Sequence, residues 1–494
     1  VGVGQVAHGE HGEREVAAGV GEPLVVGQGA VRGPAGVAVH VRRLAVRRVP
    51  QRLGLHVADV AGLGEARRLV PPVRAAAAVV QADKAPGFRS TSPNSSLLEV
   101  ADTMAALEDL GRAARQRSSA RIIAVTGSVG KTGTKEALKL AFGTQGRVSA
   151  TEGNLNNHFG LPLSLARMPE NTEFGIFEMG MNHPGEIAPL SSMARPDVAV
   201  ITEIAEVHSE YFDGLAQISD AKAEIYTGMG ATGIAVLNLD SMQFERLADQ
   251  ARGQGVGRII TFGQHGDADI RLLGIDRRSN GSAVRAACFG DEIEYRIGVA
   301  GGHWVLNSLG VLGAVYAAGA DVEKAAAALA DMRGLKGRGQ RHEVTYAEGT
   351  FVLIDESYNA SPTSMTAAIE VLGQGEVVAG GRRIAVLGDM LELGNRSEEL
   401  HAELAGVLDA NGIDQVFTAG QFMSALWDLL PAEVRGGHAC AAKKLAPIVT
   451  AAVAPGDLVM VKGSLGSQTR VIVDALLSLG TQATGDTRQV VNGK

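Results

Sequence analysis

The stretch RIIAVTGSVGKTGTKE, from Arg121 to Glu136, decides how the rest of the chain is organised. It opens with the apolar run Ile122–Val125, which predicts a buried strand. The chain then turns through Gly127 and Gly130 and enters a helical pattern. A strand, a glycine loop and a helix N-terminus together bind polyphosphate, because glycines let backbone N–H groups approach an anion and the helix end carries partial positive charge.

The loop also carries the side chains that a phosphate site needs. Lys131 can reach terminal phosphates, and the Thr132 hydroxyl can ligate Mg²⁺. The usual spacing is G-x-x-x-x-G-K-[ST], but its first glycine position is Val125 here, so the loop is a shorter G-x-x-G-K-T. An ordinary glycine turn before a helix is the alternative. We predict a phosphate-binding loop made of Gly127, Ser128, Val129, Gly130, Lys131, Thr132 and Gly133.

Composition narrows the class of protein. The 494 residues are 45% hydrophobic and 20% charged, which is typical of a globular chain with about three domains. A formal net charge of −8 argues against a general nucleic-acid binder. The two cysteines, Cys288 and Cys440, lie far apart and suggest a reducing compartment. We see no apolar run of membrane-spanning length and no signal peptide, and therefore expect a cytoplasmic location.

The first ninety residues differ from the rest. From Val1 to Ser90 there is no Ile, Asn, Met, Tyr, Trp or Cys, one Phe (Phe88) and one Lys (Lys84). Such a segment lacks bulk for a tight core. We expect residues 1–95 to be irregular, as an out-of-frame or wrongly started translation of a GC-rich gene or as a disordered extension. Reading the other frames of the coding DNA decides between them.

From about Leu97 onward we expect order, with strands alternating with helices. This pattern indicates a parallel sheet covered by helices on both faces, in a central domain over residues 96–340. Ligands of such sheets bind beyond the carboxyl ends of the strands. Taken singly, a residue there can equally be structural. Four side chains follow predicted strand ends and are expected on one rim: Thr126, Glu178, His208 and Asn238.

Two further features complete the predicted architecture. Four short runs, of which Arg258–Phe262 is the first, predict a small antiparallel piece between residues 258 and 300. After a Gly- and Arg-rich boundary, strand–helix alternation restarts in a C-terminal domain over residues 341–480, with one long helix through Glu398 and Leu408 and a disordered tail at 481–494. The fold class is α/β, with a P-loop-type central domain and a Rossmann-like C-terminal domain.

Several motifs together carry a resemblance to a known family. They are TGSVGKTGT, TEGNLNNHFGLPLSL, FEMGMNHPGEI, DESYNASPTSM, VLGDMLELG and VKGS. From about Leu97 to Leu477 the chain resembles the Mur ligases, the ATP-dependent amide-forming enzymes of peptidoglycan synthesis. It is most similar to the branch that joins D-alanyl-D-alanine to UDP-N-acetylmuramoyl-tripeptide. The short phosphate loop is the form that this family uses.

The resemblance implies a mechanism and a set of metal-site residues. The γ-phosphoryl group of ATP passes to the substrate carboxylate, and the amine of D-alanyl-D-alanine attacks the acyl phosphate. By motif, Lys131 neutralises phosphate charge, and Thr132 and Glu178 hold Mg²⁺. His208 matches the ligand of a second Mg²⁺. Lys222 matches the lysine that the family carbamylates.

The resemblance also implies nucleotide and substrate contacts. Asn307 matches an adenine-site residue, Arg338 a phosphate-facing arginine and Asp355 a ribose-side acid. Trp304 departs from the family, in which asparagine often follows the His303 position. The implied substrate-binding residues are Asn156, Asn157, Tyr358, Asn359, Ser361 and Lys462, with Ser464 in the same loop as the last.

The front of the chain leaves alternatives open. The family grips the UDP group with an N-terminal domain that carries Asp-Ser-Arg, and nothing in Val1 to Ser90 matches it. We therefore expect a monomer that binds ATP but binds the nucleotide-sugar substrate poorly. The alternatives are a diaminopimelate- or lysine-adding ligase, a folylpolyglutamate synthase, or a nucleotide-binding module without ligase activity.

Overall fold

The computed structural model describes residues 77–91, 96–206, 212, 214–278, 281–347 and 349–485, and four short strands before residue 45. By its contacts the chain divides into two units, Val1–Thr103 and Met104–Lys494. His208 lies outside the described residues. Within them, no helix is long and apolar enough to cross a membrane.

The described residues of the first unit form short strands and one helix. Strand β1 pairs with β4 and β2 with β3, both antiparallel, and β5 pairs with β6 in parallel across α1. We expected order to begin near Leu97, but two elements come earlier: β5, which lies in an apolar run of alanine and valine, and α1. The elements are β1 (Val26–Gln28), β2 (Val31–Arg32), β3 (Ala38–Val39), β4 (Arg42–Leu44), β5 (Ala78–Gln81), α1 (Ala85–Thr91) and β6 (Leu97–Val100).

A nine-stranded sheet forms the centre of the second unit. Its strands are β7 (Arg121–Thr126), β8 (Val148–Ala150), β9 (Phe174–Glu178), β10 (Val198–Ile201), β11 (Ile234–Asn238), β12 (Arg258–Gly263), β13 (Ile270–Arg278), β14 (Gly281–Cys288) and β15 (Asp291–Ile297). Their order is β15-β14-β13-β12-β11-β10-β7-β9-β8, parallel from β8 to β13 and antiparallel beyond. The antiparallel piece is therefore an extension of the main sheet, and the run from Arg258 is parallel to β11.

Helices cover both faces of this sheet because its central strands are apolar on both sides. Ile122 and Ile123 are fully buried and pack into separate core clusters on opposite faces. Ile122 lies on the face covered by α4 to α7, and Ile123 lies on the face covered by α3 and α8. The helices are α2 (Thr103–Arg117), α3 (Lys131–Gly143), α4 (Gly160–Arg167), α5 (Ile187–Ala194), α6 (Leu215–Ala223), α7 (Phe244–Gly253), α8 (Gly302–Ala317) and α9 (Val322–Ala328).

A second, six-stranded sheet begins at Gln340 and defines the C-terminal domain. Its strands are β16 (Gln340–Tyr346), β17 (Gly349–Glu356), β18 (Arg383–Gly388), β19 (Gln415–Ala419), β20 (Arg435–Ala439) and β21 (Leu458–Lys462), in the order β16-β17-β21-β18-β19-β20. All neighbours are parallel except β16 and β17. A parallel sheet with helices on both faces confirms the Rossmann-like prediction.

The helices of this domain correct two expectations. The helix through Glu398 and Leu408 is two helices, α11 and α12, and α15 continues past Gly480 into the segment predicted to be a disordered tail. The helices are α10 (Pro362–Gly373), α11 (Ser397–Ala402), α12 (Leu404–Ala410), α13 (Met423–Leu429), α14 (Ala442–Ala452) and α15 (Arg470–Gly485).

Candidate active site

A cleft of about 1140 Å³ lies between the central domain and the C-terminal domain. The central domain lines it with loop residues Ser128–Gly133, Glu178 and Asn307, and the C-terminal domain contributes Tyr358 and Lys462. Several of these residues follow the carboxyl ends of parallel strands, where ligands of such sheets bind. We call this space the interdomain cleft.

The backbone of the phosphate loop is held in a shape that only glycine allows at two positions. Gly127 has φ 142° and Gly130 has φ 87°. A Cβ atom at Gly127 would lie 2.0 Å from the Thr202 hydroxyl, which itself donates to the Val129 carbonyl at 2.6 Å. The end of β10 therefore fixes the loop, whose amides stand at the N-terminus of α3.

Lys131 is held against the same loop. Its ammonium donates to the carbonyls of Gly127 at 2.6 Å and Ser128 at 3.0 Å. Burial lowers the pKa of Lys131 to about 8; the carboxylate of Glu178 opposes this shift and the guanidinium of Arg338 adds to it. A bound anion would add negative charge beside this partly buried ammonium.

Glu178 ends strand β9 and is almost fully buried, at 2% exposure. Its Oε1 accepts a hydrogen bond from Asn156 Nδ2 at 2.9 Å, while its Oε2 has no partner among the described residues. Burying an ionised oxygen without a partner is costly, so the site is suited to a cation. This is the observation that makes Glu178 a fit for Mg²⁺.

The residues around Glu178 suit the way in which proteins hold Mg²⁺ beside phosphate. Thr132 lies on the wall of the cleft beside Lys131. In the described part of the chain no cluster of three His, Cys, Asp or Glu side chains is placed to hold a metal. Mg²⁺ in phosphoryl-transfer sites is bound by one or two carboxylates together with substrate phosphates, so Glu178 and Thr132 would suffice with a triphosphate present.

Lys222 is buried near these charges. It is 1% exposed, and its burial, followed by the charge of Lys131, lowers its pKa well below the usual value. Glu178 also acts on this pKa, in the opposite direction. The structure thus brings Lys131, Glu178 and Lys222 within electrostatic range of one another.

Asn307 and Arg338 lie on the cleft as expected. The Asn307 amide lies against the phosphate loop, 2.8 Å from where a Cβ atom at Gly130 would stand. The Arg338 guanidinium lies 4.4 Å from the ring centre of Tyr358, and this stacking holds it in place.

Asp355 differs from the expectation of a ribose-side acid. It is fully buried and is not part of the cleft wall. Its two oxygens accept from the Gly337 amide, the Ser357 amide and hydroxyl, and Arg470 Nη1 at 2.7 Å. These bonds occupy both oxygens of the carboxylate, which thereby ties the segment around Gly337 to the start of α15. The next residue, Glu356, does line the cleft.

Three other predicted substrate residues carry structural hydrogen bonds. Asn157 Oδ1 accepts from two amides at the start of α4, and Ser361 caps α10 through a reciprocal bond with Ser364. Lys462 is buried and donates to the Asn359 carbonyl at 2.9 Å and Glu356 at 3.3 Å. All three line the cleft, but their hydrogen bonds show that they also shape its wall.

The sequence reasoning missed Glu203, the partner of the predicted rim residue Asn238 in the cleft. Glu203 accepts a hydrogen bond from Asn238 Nδ2 at 3.0 Å, and burial raises the pKa of Glu203. Its backbone carbonyl also accepts from the amide of Ser128 at 2.8 Å. Glu203 follows β10 by two residues, so the rule on strand ends that selected Glu178 would have selected it too.

Comparison with known proteins agrees with this architecture. Residues 125–315 match the Mur ligase middle domain, and residues 337–465 match the domain described as Mur ligase, glutamate ligase domain. The UDP-N-acetylmuramoyl-tripeptide–D-alanyl-D-alanine ligase of Rickettsia prowazekii is 35% identical over 381 residues, covering 76% of this chain and 83% of that protein. The Bacillus subtilis ligase of the same name is 37% identical over 388 residues, covering 78% and 82%.

Solved structures of two MurF enzymes have a fold similar to that of this chain. MurF from Acinetobacter baumannii superposes with a TM-score of 0.70 at 28% identity, over 82% of this chain and 85% of that chain. MurF ligase from Thermotoga maritima in complex with ADP superposes with a TM-score of 0.68 at 27% identity, over 83% and 90%. With both domains of the cleft matched, and with relatives above 30% identity over most of their length, the chain belongs to the Mur ligase family.

Proposed function

We propose that this chain is an ATP-dependent ligase that joins D-alanyl-D-alanine to UDP-N-acetylmuramoyl-tripeptide in peptidoglycan synthesis. The names of the relatives from Rickettsia prowazekii and Bacillus subtilis support this substrate pair. The observation that carries the chemistry is the buried Glu178 carboxylate beside a glycine loop and Lys131, with one oxygen that has no partner among the described residues. The ADP-bound Thermotoga maritima relative supports ATP as the nucleotide.

The first step is phosphoryl transfer. A carboxylate oxygen of the tripeptide attacks the γ-phosphorus of ATP, the bond to the β–γ bridging oxygen breaks, and ADP leaves with an acyl phosphate formed. Such transfer depends on positioning and charge neutralisation. The loop amides and Lys131 supply fixed positive charge, and Mg²⁺ held by Glu178 and Thr132 would neutralise the phosphates further.

The second step forms the amide. The amine nitrogen of D-alanyl-D-alanine attacks the acyl carbon, inorganic phosphate leaves through a tetrahedral intermediate, and the nitrogen gives up one proton. The products are an amide, ADP, phosphate and a proton, which balances the reaction. Arg338 and Lys462 place two cations on the opposite wall of the cleft, where they can face the departing phosphate.

Phosphate release with purified protein tests the substrate pair. We expect release that requires both UDP-N-acetylmuramoyl-tripeptide and D-alanyl-D-alanine, with a product of the summed mass. Lysine, diaminopimelate and glutamate serve as alternative amines, paired with the acyl substrates of their own ligases. Turnover with any of those pairs, and none with D-alanyl-D-alanine, would contradict the proposal. Folylpolyglutamate synthase from Mycobacterium tuberculosis is only 16% identical, so that likeness concerns the fold alone.

Separate binding measurements test the prediction about the front of the chain. We expect calorimetry to detect ATP binding and to find weak binding of the tripeptide substrate, because residues 1–95 contain no Asp-Ser-Arg sequence of the kind that the family uses to bind UDP. ATP binding without turnover at saturating tripeptide would favour the nucleotide-binding module. Tight tripeptide binding would refute the expected defect and leave the ligase assignment intact.

A further inference from the structure

Trp304 occupies a position in the nucleotide site that the ligase assignment leaves unexplained. It lies in the first turn of α8 and lines the interdomain cleft, with its ring partly buried against the core. The outer edge of the indole reaches α3: a Cβ atom at Gly133 would stand 2.4 Å from Cζ3 and 2.5 Å from Cη2. Any other residue at Gly133 would therefore push the ring away.

The indole is placed one helical turn from the phosphate loop. Trp304 and Asn307 are three residues apart, so both lie on the same side of α8. Asn307 contacts the loop at Gly130, and Trp304 contacts α3 at Gly133, about 4.5 Å further along that helix. A nucleotide whose phosphates lie on the loop amides can thus place its base within reach of Trp304.

We propose that Trp304 is the base-stacking residue of the nucleotide site and makes it prefer purine over pyrimidine nucleotides. The inference rests on the proposed binding of ATP in this cleft. Stacking on an aromatic ring needs only a flat π-face, and the larger face of a purine covers more of an indole than a pyrimidine does. Gly133 contributes by giving the indole edge room beside the helix.

Tryptophan fluorescence tests the contact directly. The chain has two tryptophans, and the other, Trp427, packs in the C-terminal core beside Arg435 and His438. In a Trp427→Phe variant, Trp304 is the sole emitter. We expect Mg·ATP to change its emission, and Mg·tripolyphosphate to compete with ATP without changing it. An equal response to both ligands would overturn the proposal.

Two further outcomes separate this inference from the proposed function. If tripolyphosphate competes with ATP but ATP leaves the emission unchanged, the phosphate site stands and the stacking proposal fails. If neither ligand binds, both proposals fail. These measurements use the full chain with its native Trp304, so they do not depend on the folding of a variant at that position.

Substitution of Trp304 measures how much base stacking contributes to the affinity for ATP. We expect Trp304→Leu to raise the Kd for ATP about tenfold, to reduce the preference for ATP over CTP, and to leave the Kd for tripolyphosphate unchanged. Trp304→Phe should restore most of the ATP affinity. If the leucine variant weakens ATP and tripolyphosphate equally, the ring only fills space and the proposal is wrong.

Discussion

Buried carboxylates in the central domain and the C-terminal domain are hydrogen-bonded to different degrees. In the central domain, Glu178 has one bonded oxygen and one without a partner among the described residues. In the C-terminal domain, Asp355 accepts four hydrogen bonds, one of them from Arg470. Burial alone therefore does not identify a ligand-binding acid. An oxygen without a partner among the described residues is the better indication, because a bound cation would compensate for its desolvation.

Neutralising Glu178 should give the largest effect on activity. We expect Glu178→Gln to reduce phosphate release by about a hundredfold or more, because charge stabilisation at the transferring phosphoryl group is lost. The free energy of unfolding should change by less than about 1 kcal/mol, because the lost attraction to Lys131 is offset by the removal of a buried charge. Denaturant titration and the activity assay measure both quantities.

The exposed Glu170 offers a matched control on the same domain. Glu170→Gln should alter neither activity nor stability. If Glu178→Gln keeps most of the activity, or instead loses several kcal/mol of stability, then Glu178 is a structural acid and the contrast with Asp355 disappears.

Neutralising Asp355 should have the opposite pattern, a loss of stability. We expect Asp355→Asn to lower the free energy of unfolding by about 3 kcal/mol, because an amide nitrogen cannot accept from Gly337 or Arg470 and the buried ion pair is broken. Denaturant unfolding measures this loss. Asp474→Asn removes the other, exposed partner of Arg470 and should cost much less. A raised KM for ATP with unchanged stability would restore the ribose-side role.

Local signals in the sequence explain why the position of Glu178 at the cleft was predicted and the hydrogen-bonded environment of Asp355 was not. In the sequence, the phosphate loop is marked by the spacing of its glycines. Glu178 is marked by its position at the end of an apolar strand. The environment of Asp355 depends on Arg470, which lies 115 residues further along the chain. No local pattern reports a partner at that distance, so the ribose-side role that the resemblance implies stays a prediction beside these hydrogen bonds.

Edge strands show a second limit. The sequence predicted the apolar central strands, but it missed β16 and β20, at the two edges of the C-terminal sheet. β20 reads RGGHA and β16 reads QRHEVTY, so neither shows an uninterrupted apolar run. Edge strands are covered less completely and tolerate polar residues and glycine, which removes the signal.

The C-terminal half should also show a pH dependence of stability, at His401. Its Nε2 accepts from the Met390 amide at 2.9 Å, its Nδ1 bonds to the Ser397 carbonyl, and Asp389 faces the ring at 3.9 Å. Burial lowers the pKa of His401, with the carbonyl and Asp389 opposing. Below about pH 6.5 the unfolded chain binds the proton first, so stability should fall as the pH falls further.

Denaturant unfolding at several pH values measures this pH dependence. We expect the free energy of unfolding to change by about 1 kcal/mol per pH unit just below pH 6.5. In His401→Gln, the glutamine side-chain oxygen can still accept from the Met390 amide. The contribution of His401 to the slope of unfolding free energy against pH should then vanish. Exposed His158 supplies the control, since His158→Gln should leave the slope as it is. Parallel curves for the wild type and His401→Gln would show that His401 does not couple folding to pH.

The smallest expected effect concerns the one ion pair in the described chain that joins the two halves across their exposed surfaces. Arg396 Nη1 lies 2.8 Å from Glu206 Oε2, although 190 residues separate them. Both side chains are about half exposed, so salt should screen the attraction strongly. We expect Arg396→Gln to raise the KM for ATP about twofold at low salt, because the C-terminal domain is held less firmly over the cleft.

Glu399→Gln removes only the partner of Arg396 within its own domain and should leave the KM unchanged. A twofold effect that persists at high salt would indicate that Arg396 acts by packing and not by its charge.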